Sequence, residues 1–126
     1  MPRILVIEDD VLMCRALTLM LSKQGHTITI AQNGKDALKF LQETQFDLII
    51  TDLMLPFASG MELISRLKMN ELQGNTPVMV VSSVAHEKTI QDAFNLGADD
   101  YLKKPVTPSE LISRVNRLLL KKQGIQ

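Results

Sequence analysis

The sequence predicts an α/β protein built on a doubly wound parallel sheet with helices on both faces. Strand-like segments alternate with amphipathic helical segments five times along the 126 residues. Three of the five strands are continuously apolar, which is typical of parallel strands buried on both faces. Each strand is followed by a helix, the order that right-handed crossovers between parallel strands require.

The first half of the chain contains two strand–helix units and a third strand. In order, the predicted elements are a strand at 4–7, a helix at 11–24, an edge strand at 27–31, a helix at 35–42 and a strand at 48–50. Asp10 is the predicted N-cap of the first helix and Gly25 its C-terminal stop. The third strand ends at Thr51 and Asp52. Apolar residues recur at helical spacing in the first helix at Leu12, Ala16 and Leu19, and at Met13, Leu17 and Met20.

The second half continues the alternation. The predicted elements are a helix from Ser59 to about residue 71, a strand at 78–81, a helix at 86–96, a strand at 101–103 and a last helix from Pro108. Ser59 and Glu62 form a capping-box pattern, as do Thr107 and Glu110. Gly97 is the predicted end of the fourth helix. His26 and His86, the two histidines, are predicted to be surface residues.

Composition limits the class of protein. A chain of 126 residues is expected to form one domain, residues 1–126. The 14 basic and 14 acidic residues balance, so no direct binding to nucleic acid or to an anionic membrane is expected. No apolar run approaches the roughly 20 residues that span a bilayer. Cys14 is the single cysteine, which excludes an internal disulfide and fits a reducing compartment. We therefore expect a cytoplasmic protein.

Charged and hydroxyl side chains follow four of the five predicted strands. Glu8 and Asp9 follow the first strand, Asp52 the third, Ser82 the fourth and Lys104 the fifth. The carboxyl ends of parallel strands meet at one edge of the sheet, where ligands bind in open α/β folds. We therefore expect these five side chains to form one cluster.

The predicted cluster has the chemistry of a phosphoryl-accepting site. Its oxygen ligands favour a hard cation such as Mg²⁺, and the lack of histidine or cysteine among them counts against zinc. A metal and Lys104 would neutralise phosphoryl oxygens while Ser82 donates a hydrogen bond. Asp52 is the predicted attacking carboxylate, which would give an aspartyl phosphate.

Four motifs resemble those of two-component response-regulator receiver domains, and together they cover nearly the whole chain. They are Glu8-Asp9, residues 52–56 (DLMLP), residues 80–82 (VVS) and residues 97–105 (GADDYLKKP). The resemblance implies a flavodoxin-like sheet in the order 2-1-3-4-5 and phosphoryl transfer from a sensor histidine kinase to Asp52. It also implies metal binding by Glu8, Asp9, Asp52 and the backbone carbonyl of Met54.

The same resemblance implies a conformational switch. The Ser82 hydroxyl moves toward the phosphoryl group, the Tyr101 ring turns inward, and the face of the fourth helix, fifth strand and fifth helix changes its partner preference. The partner is a downstream protein or an effector domain outside this chain. Four charged residues on that face are either contacts of a symmetric homodimer or a solvated surface: Asp99, Asp100, Glu110 and Arg114.

Two departures and two alternatives complete the sequence-based picture. Glu8 stands where Asp is more usual in such domains, and Ser82 where Thr is at least as common. Apolar Met54 and Val84 flank the site, which predicts slow autodephosphorylation.

One alternative is a pseudo-receiver, a binding module that is never phosphorylated, although its usual mark is loss of the aspartate or the lysine. The other is a phosphatase with an aspartyl nucleophile, which needs a second aspartate where Met54 stands. We expect no enzyme activity beyond the protein's own phosphorylation and autodephosphorylation.

Overall fold

The computed structural model describes residues 1–56, 59–70 and 73–122. Strands and helices alternate throughout, as predicted. The elements are β1 (Arg3–Ile7), α1 (Val11–Ser22), β2 (Thr27–Ala31), α2 (Gly34–Glu43), β3 (Leu48–Thr51), α3 (Gly60–Asn70), β4 (Val78–Ser82), α4 (Glu87–Leu96), β5 (Asp100–Lys103) and α5 (Pro108–Lys122). The predicted end of the third helix near residue 71 lies outside the described residues.

The five strands form one parallel sheet in the order β2-β1-β3-β4-β5, which confirms the predicted topology. The register aligns the ends of neighbouring strands. Ile7 pairs with Thr51, and Thr51 pairs with Val80. The residues that follow β1, β3 and β4 therefore emerge side by side at one edge.

Both faces of the sheet are buried, because successive strand residues point to opposite layers. Ile4 and Val6 pack with the apolar sides of α1 and α5, while Leu5 and Ile7 pack with those of α2, α3 and α4. The continuous apolar strands are thus explained by burial on two sides. This packing makes the sheet a rigid frame for the residues at its carboxyl edge.

Predicted helix caps are present at three helices. The side-chain oxygens of Asp10, Ser59 and Thr107 accept backbone N–H groups at 2.9, 3.1 and 3.4 Å. Gly97 ends α4 with a left-handed φ of 120°. α1 ends two residues earlier than predicted, because the N–H groups of Gln24 and Gly25 turn to carbonyls three residues back.

Within the described residues, we find no helix that combines the length and the apolar character needed to cross a bilayer.

His26 differs from its predicted surface position. Its side chain is half-buried, and both ring nitrogens are shielded from solvent without a hydrogen-bond partner among the described residues. Burial lowers the pKa of His26, because the charged imidazolium loses hydration inside the fold.

Stability is therefore expected to fall as the pH drops below about 6.5, the ordinary histidine pKa. In that range the unfolded chain binds a proton at His26 that the folded protein resists, so protonation favours unfolding. Urea denaturation should show a smaller acid-induced loss of stability in His26→Phe than in the wild type. The control is His86→Gln, which changes an exposed imidazole and should leave the wild-type pH dependence intact. Equal pH dependence in wild type and His26→Phe would contradict the prediction.

Candidate functional site

Three carboxylates meet at the carboxyl edge of the sheet. Glu8 and Asp9 follow β1, Asp52 follows β3, and one oxygen from each lies within 4.8 Å of the others. Glu8 and Asp52 are buried, at 2% and 8% exposure, while Asp9 is exposed. An oxygen-only donor set of this density fits a hard divalent cation such as Mg²⁺, which would relieve the repulsion between the charges.

Lys104 joins two of these carboxylates. Its Nζ donates to Glu8 Oε1 at 2.6 Å and to Asp52 Oδ2 at 2.9 Å. The Lys104 N–H donates to the Ser82 carbonyl at 2.9 Å, which fixes the lysine at the end of β5. The ammonium group is therefore a cation shared by two carboxylates.

Burial shifts the pKa values of Glu8 and Lys104. Burial raises the pKa of Glu8, and hydrogen bonds from Lys104 and from the Asp10 N–H only partly offset it. For Lys104, burial alone lowers the pKa, but the bonds to Glu8 and Asp52 outweigh it and the pKa is raised. Lys104 thus stays charged, and the charge on Glu8 depends on it.

The Asp52 carboxylate is oriented by its own loop. Oδ1 accepts the N–H of Leu53 at 2.6 Å and, more weakly, that of Met54 at 3.3 Å. The other oxygen, Oδ2, faces Lys104. The Asp52 N–H donates to the Ile7 carbonyl at 3.0 Å, so the residue is anchored to β1. The two oxygens therefore have distinct environments, and Oδ2 is the one beside the Lys104 ammonium group.

Ser82 and Tyr101 meet through the backbone of one residue. The buried Ser82 hydroxyl accepts the N–H of Val84 at 3.2 Å, and the Tyr101 hydroxyl donates to the Val84 carbonyl at 2.7 Å. Among the described residues, no hydrogen bond joins Ser82 to Asp52. The two side chains are thus linked to the loop between β4 and α4 rather than to the carboxylates.

The four charged residues predicted from the sequence to lie on the face near β5 form ion pairs within the chain. Both Arg114 and Arg117 bind the Asp100 carboxylate, at 2.7 and 3.0 Å, and Arg114 also binds Glu110 at 3.0 Å. Asp99 pairs with Lys68 of α3 at 3.1 Å. The Asp100 side chain is only 7% exposed, so of the two alternatives for these residues the solvated surface does not apply to Asp100.

Sequence reasoning missed two residues that shape the site. The buried Thr51 hydroxyl donates to the Asp52 carbonyl at 2.8 Å. Gly60 packs so closely under the Asp52–Leu53 backbone that an added Cβ would overlap the Asp52 carbonyl oxygen. A hydroxyl directly before the aspartate and a glycine at the helix start were the available signals, but their meaning depends on how the loop folds back.

Comparison with known proteins gives a consistent result. A family model described as the response regulator receiver domain matches residues 4–116. The chain is 36% identical over 115 residues to the transcriptional regulatory protein CrdR of Helicobacter pylori, covering 91% of this chain and 54% of that protein. It is 39% identical over 119 residues to the transcriptional regulatory protein PcoR of Escherichia coli, covering 94% and 52%. The chain therefore spans about half the length of the curated relatives it matches.

Solved structures show the same fold. The receiver domain of Francisella response regulator 1452 has a TM-score of 0.89 at 32% identity, covering 96% of this chain and 98% of that one. A CheY-like receiver domain protein of Methanospirillum hungatei has a TM-score of 0.91 at 27% identity, covering 98% of both chains.

Proposed function

The chain belongs to the response-regulator receiver family, and we propose that it is a phosphorylation-activated switch in which Asp52 accepts a phosphoryl group from a sensor histidine kinase. The observation that carries the proposal is the Asp52 carboxylate, which is buried and held by backbone N–H groups on one oxygen. Its other oxygen lies 2.9 Å from Lys104 Nζ. One oxygen of Asp52 also lies within 4.8 Å of an oxygen of each of two further carboxylates.

Asp52 Oδ2 is the attacking oxygen in this proposal, because Oδ1 is engaged by Leu53 and Met54. A bond forms between Oδ2 and phosphorus while the phosphorus–nitrogen bond of the kinase phosphohistidine breaks. The imidazole nitrogen leaves with the electron pair and takes up a proton. Lys104 then pairs with oxygens of the transferred group, which keeps the developing negative charge neutralised.

Glu8, Asp9 and Asp52 would hold the divalent cation, with the Met54 carbonyl as the further predicted ligand. When bound, Mg²⁺ supplies electrostatic stabilisation of the phosphoryl oxygens. The chain's own contribution is the geometry of the carboxylates, which the sheet edge fixes.

The output runs through Ser82 and Tyr101 in this proposal. Both contact Val84, so movement of the Ser82 hydroxyl toward a phosphoryl group releases the Val84 N–H and alters the loop that Tyr101 also holds. The face of α4, β5 and α5 then changes its affinity for a downstream protein, an effector domain or a second copy of the chain. The relatives named as transcriptional regulators are about twice as long, which supports an effector domain as the partner.

The proposal is tested by incubating the protein with acetyl phosphate and Mg²⁺ and measuring its intact mass. We expect one phosphoryl adduct that depends on the metal and is released by hydroxylamine, as an acyl phosphate is. EDTA in place of Mg²⁺ is the control. A wild-type protein that acquires no adduct would instead be a pseudo-receiver that acts as a binding module.

The phosphoryl group is expected to be long-lived. Met54 is 66% exposed beside Asp52 and offers no group that orients an attacking water. Met54→Asn introduces a carboxamide and should accelerate dephosphorylation about tenfold by positioning that water. The decay of the adduct after removal of acetyl phosphate measures this, with Met69→Asn, at an exposed position on α3, as the control. A wild-type lifetime of seconds that Met54→Asn leaves unchanged would contradict it.

A further inference from the structure

We propose that Thr51 is a positioning residue for phosphoryl transfer: together with Gly60, its hydroxyl fixes the peptide that orients the Asp52 carboxylate. This role rests on the proposed function of Asp52 as phosphoryl acceptor. Thr51 directly precedes the acceptor and Gly60 begins α3, and both act on the backbone of Asp52.

Thr51 holds one side of the peptide between Asp52 and Leu53. It is the last residue of β3, fully buried, and paired with Ile7 and Val80 on the neighbouring strands. Its hydroxyl therefore has little freedom to move. It donates to the Asp52 carbonyl oxygen at 2.8 Å, so the direction of this carbonyl is tied to the sheet.

Gly60 lies against the same peptide. Its N–H donates at 2.9 Å to the Leu53 carbonyl, which belongs to the next peptide, and this bond brings the start of α3 against the loop. A Cβ at position 60 would overlap the Asp52 carbonyl oxygen and lie 2.7 Å from the Leu53 Cα. Both are backbone atoms that no rotamer change can move aside, so only glycine permits this approach.

Fixing the carbonyl fixes the N–H, because the atoms of a peptide unit lie in one plane. The N–H of this peptide belongs to Leu53 and donates to Asp52 Oδ1 at 2.6 Å. Rotation of the peptide would weaken that bond and let the carboxylate turn. The hydroxyl of Thr51 therefore determines, through one peptide, that Oδ2 is the oxygen presented beside Lys104.

Removing the hydroxyl should lower the rate of phosphorylation without loss of the fold. In Thr51→Val, a nearly isosteric change, we expect about a tenfold lower maximal rate with acetyl phosphate and Mg²⁺, because the nucleophile is less well oriented. The acetyl phosphate concentration giving half the maximal rate should change little. Adduct formation is followed by intact mass, and urea denaturation reports stability.

Two smaller variants separate positioning from packing. Thr51→Ser and Thr51→Ala both lose the buried methyl group and should both unfold at lower urea than the wild type. Only Thr51→Ser keeps a hydroxyl, so it should phosphorylate at close to the wild-type rate while Thr51→Ala is slow. The serine–alanine comparison also preserves the test if Thr51→Val does not fold. A merely structural role would make rate follow stability across the three variants.

Thr76→Val is the matched control. The Thr76 hydroxyl is also buried and faces backbone carbonyls, those of Gln73 at 2.6 Å and Phe46 at 2.9 Å, but it precedes β4 at the opposite edge of the sheet. It should lose stability without a lower rate. The role of Thr51 would be overturned if Thr51→Val and Thr51→Ala were phosphorylated at the wild-type rate. It would also be overturned if Thr51→Ser and Thr51→Ala were slowed equally. Neither result would contradict the proposed function of Asp52. Absence of an adduct on the wild type would overturn the proposed function and this role with it.

Discussion

Asp52→Asn is expected to abolish the phosphoryl adduct and not merely to slow its formation. The carboxamide keeps an oxygen for the Leu53 N–H but places a poor nucleophile beside Lys104. The neighbouring carboxylates do not substitute for it. Glu8 is 2% exposed and bound to Lys104, and Asp9 is exposed without a cation partner within 4.0 Å among the described residues. Intact mass after incubation with acetyl phosphate and Mg²⁺ measures the outcome.

The fold of this variant should persist. In Asp52→Asn, Lys104 keeps its bond to Glu8, while the second buried carboxylate that shares Lys104 loses its charge. The urea midpoint should therefore match or exceed that of the wild type. The control is Asp9→Asn, which removes a predicted metal ligand and leaves the acceptor. Its adduct should form slowly and map to Asp52. An undiminished adduct on Asp52→Asn would show that another residue is the acceptor.

Lys104→Met is expected to weaken both stability and phosphorylation. The buried Glu8 and Asp52 carboxylates lose their shared cation, and breaking such a pair costs about 3 kcal/mol of unfolding free energy at neutral pH. The phosphorylation rate should fall on the order of 100-fold, because one preorganised charge no longer stabilises the transferred group. Urea denaturation and the rate of adduct formation measure the two effects.

The lost stability should depend on pH with a defined sign. Burial already raises the pKa of Glu8, and loss of the lysine raises it further. Because the carboxyl pKa of Glu8 is raised in the folded protein, the folded protein binds a proton there more tightly than the unfolded chain does. The variant therefore gains stability as the pH falls toward the ordinary glutamate pKa. It loses that stability as the pH rises through the raised pKa. The destabilisation should therefore be smaller at pH about 5 than at pH about 7.5.

Neighbouring substitutions provide the controls. Lys103→Met changes an exposed lysine next to Lys104 and should alter neither stability nor rate. Glu8→Gln combined with Lys104→Met should recover part of the stability, because the uncompensated charge on Glu8 is gone. If the double variant is no more stable than Lys104→Met alone, the loss of stability comes from lost packing of the aliphatic part of the lysine side chain and not from the uncompensated charge.

The sequence by itself determined the order and type of every element and the caps of three helices. Strands buried on both faces must be continuously apolar, and a helix cap is a contact between residues two or three positions apart. Both features can therefore be predicted from neighbouring residues in the sequence. It also determined that acidic and basic groups follow the strands, because parallel topology sends every strand end to one edge. This is why Glu8, Asp52 and Lys104 could be placed together before the fold was known.

Only the tertiary structure decided which contacts those residues make. In α1 both apolar stripes look equivalent in sequence, yet Leu17 is buried while Leu12 and Leu19 are 74% and 64% exposed, because the sheet and α5 cover a single side. Lys104 reaches carboxylates 52 and 96 positions away in sequence. The close approach of Gly60 to the Asp52–Leu53 backbone arises only where α3 returns against the β3 loop. Such contacts depend on how distant segments meet, and no local periodicity encodes that distance.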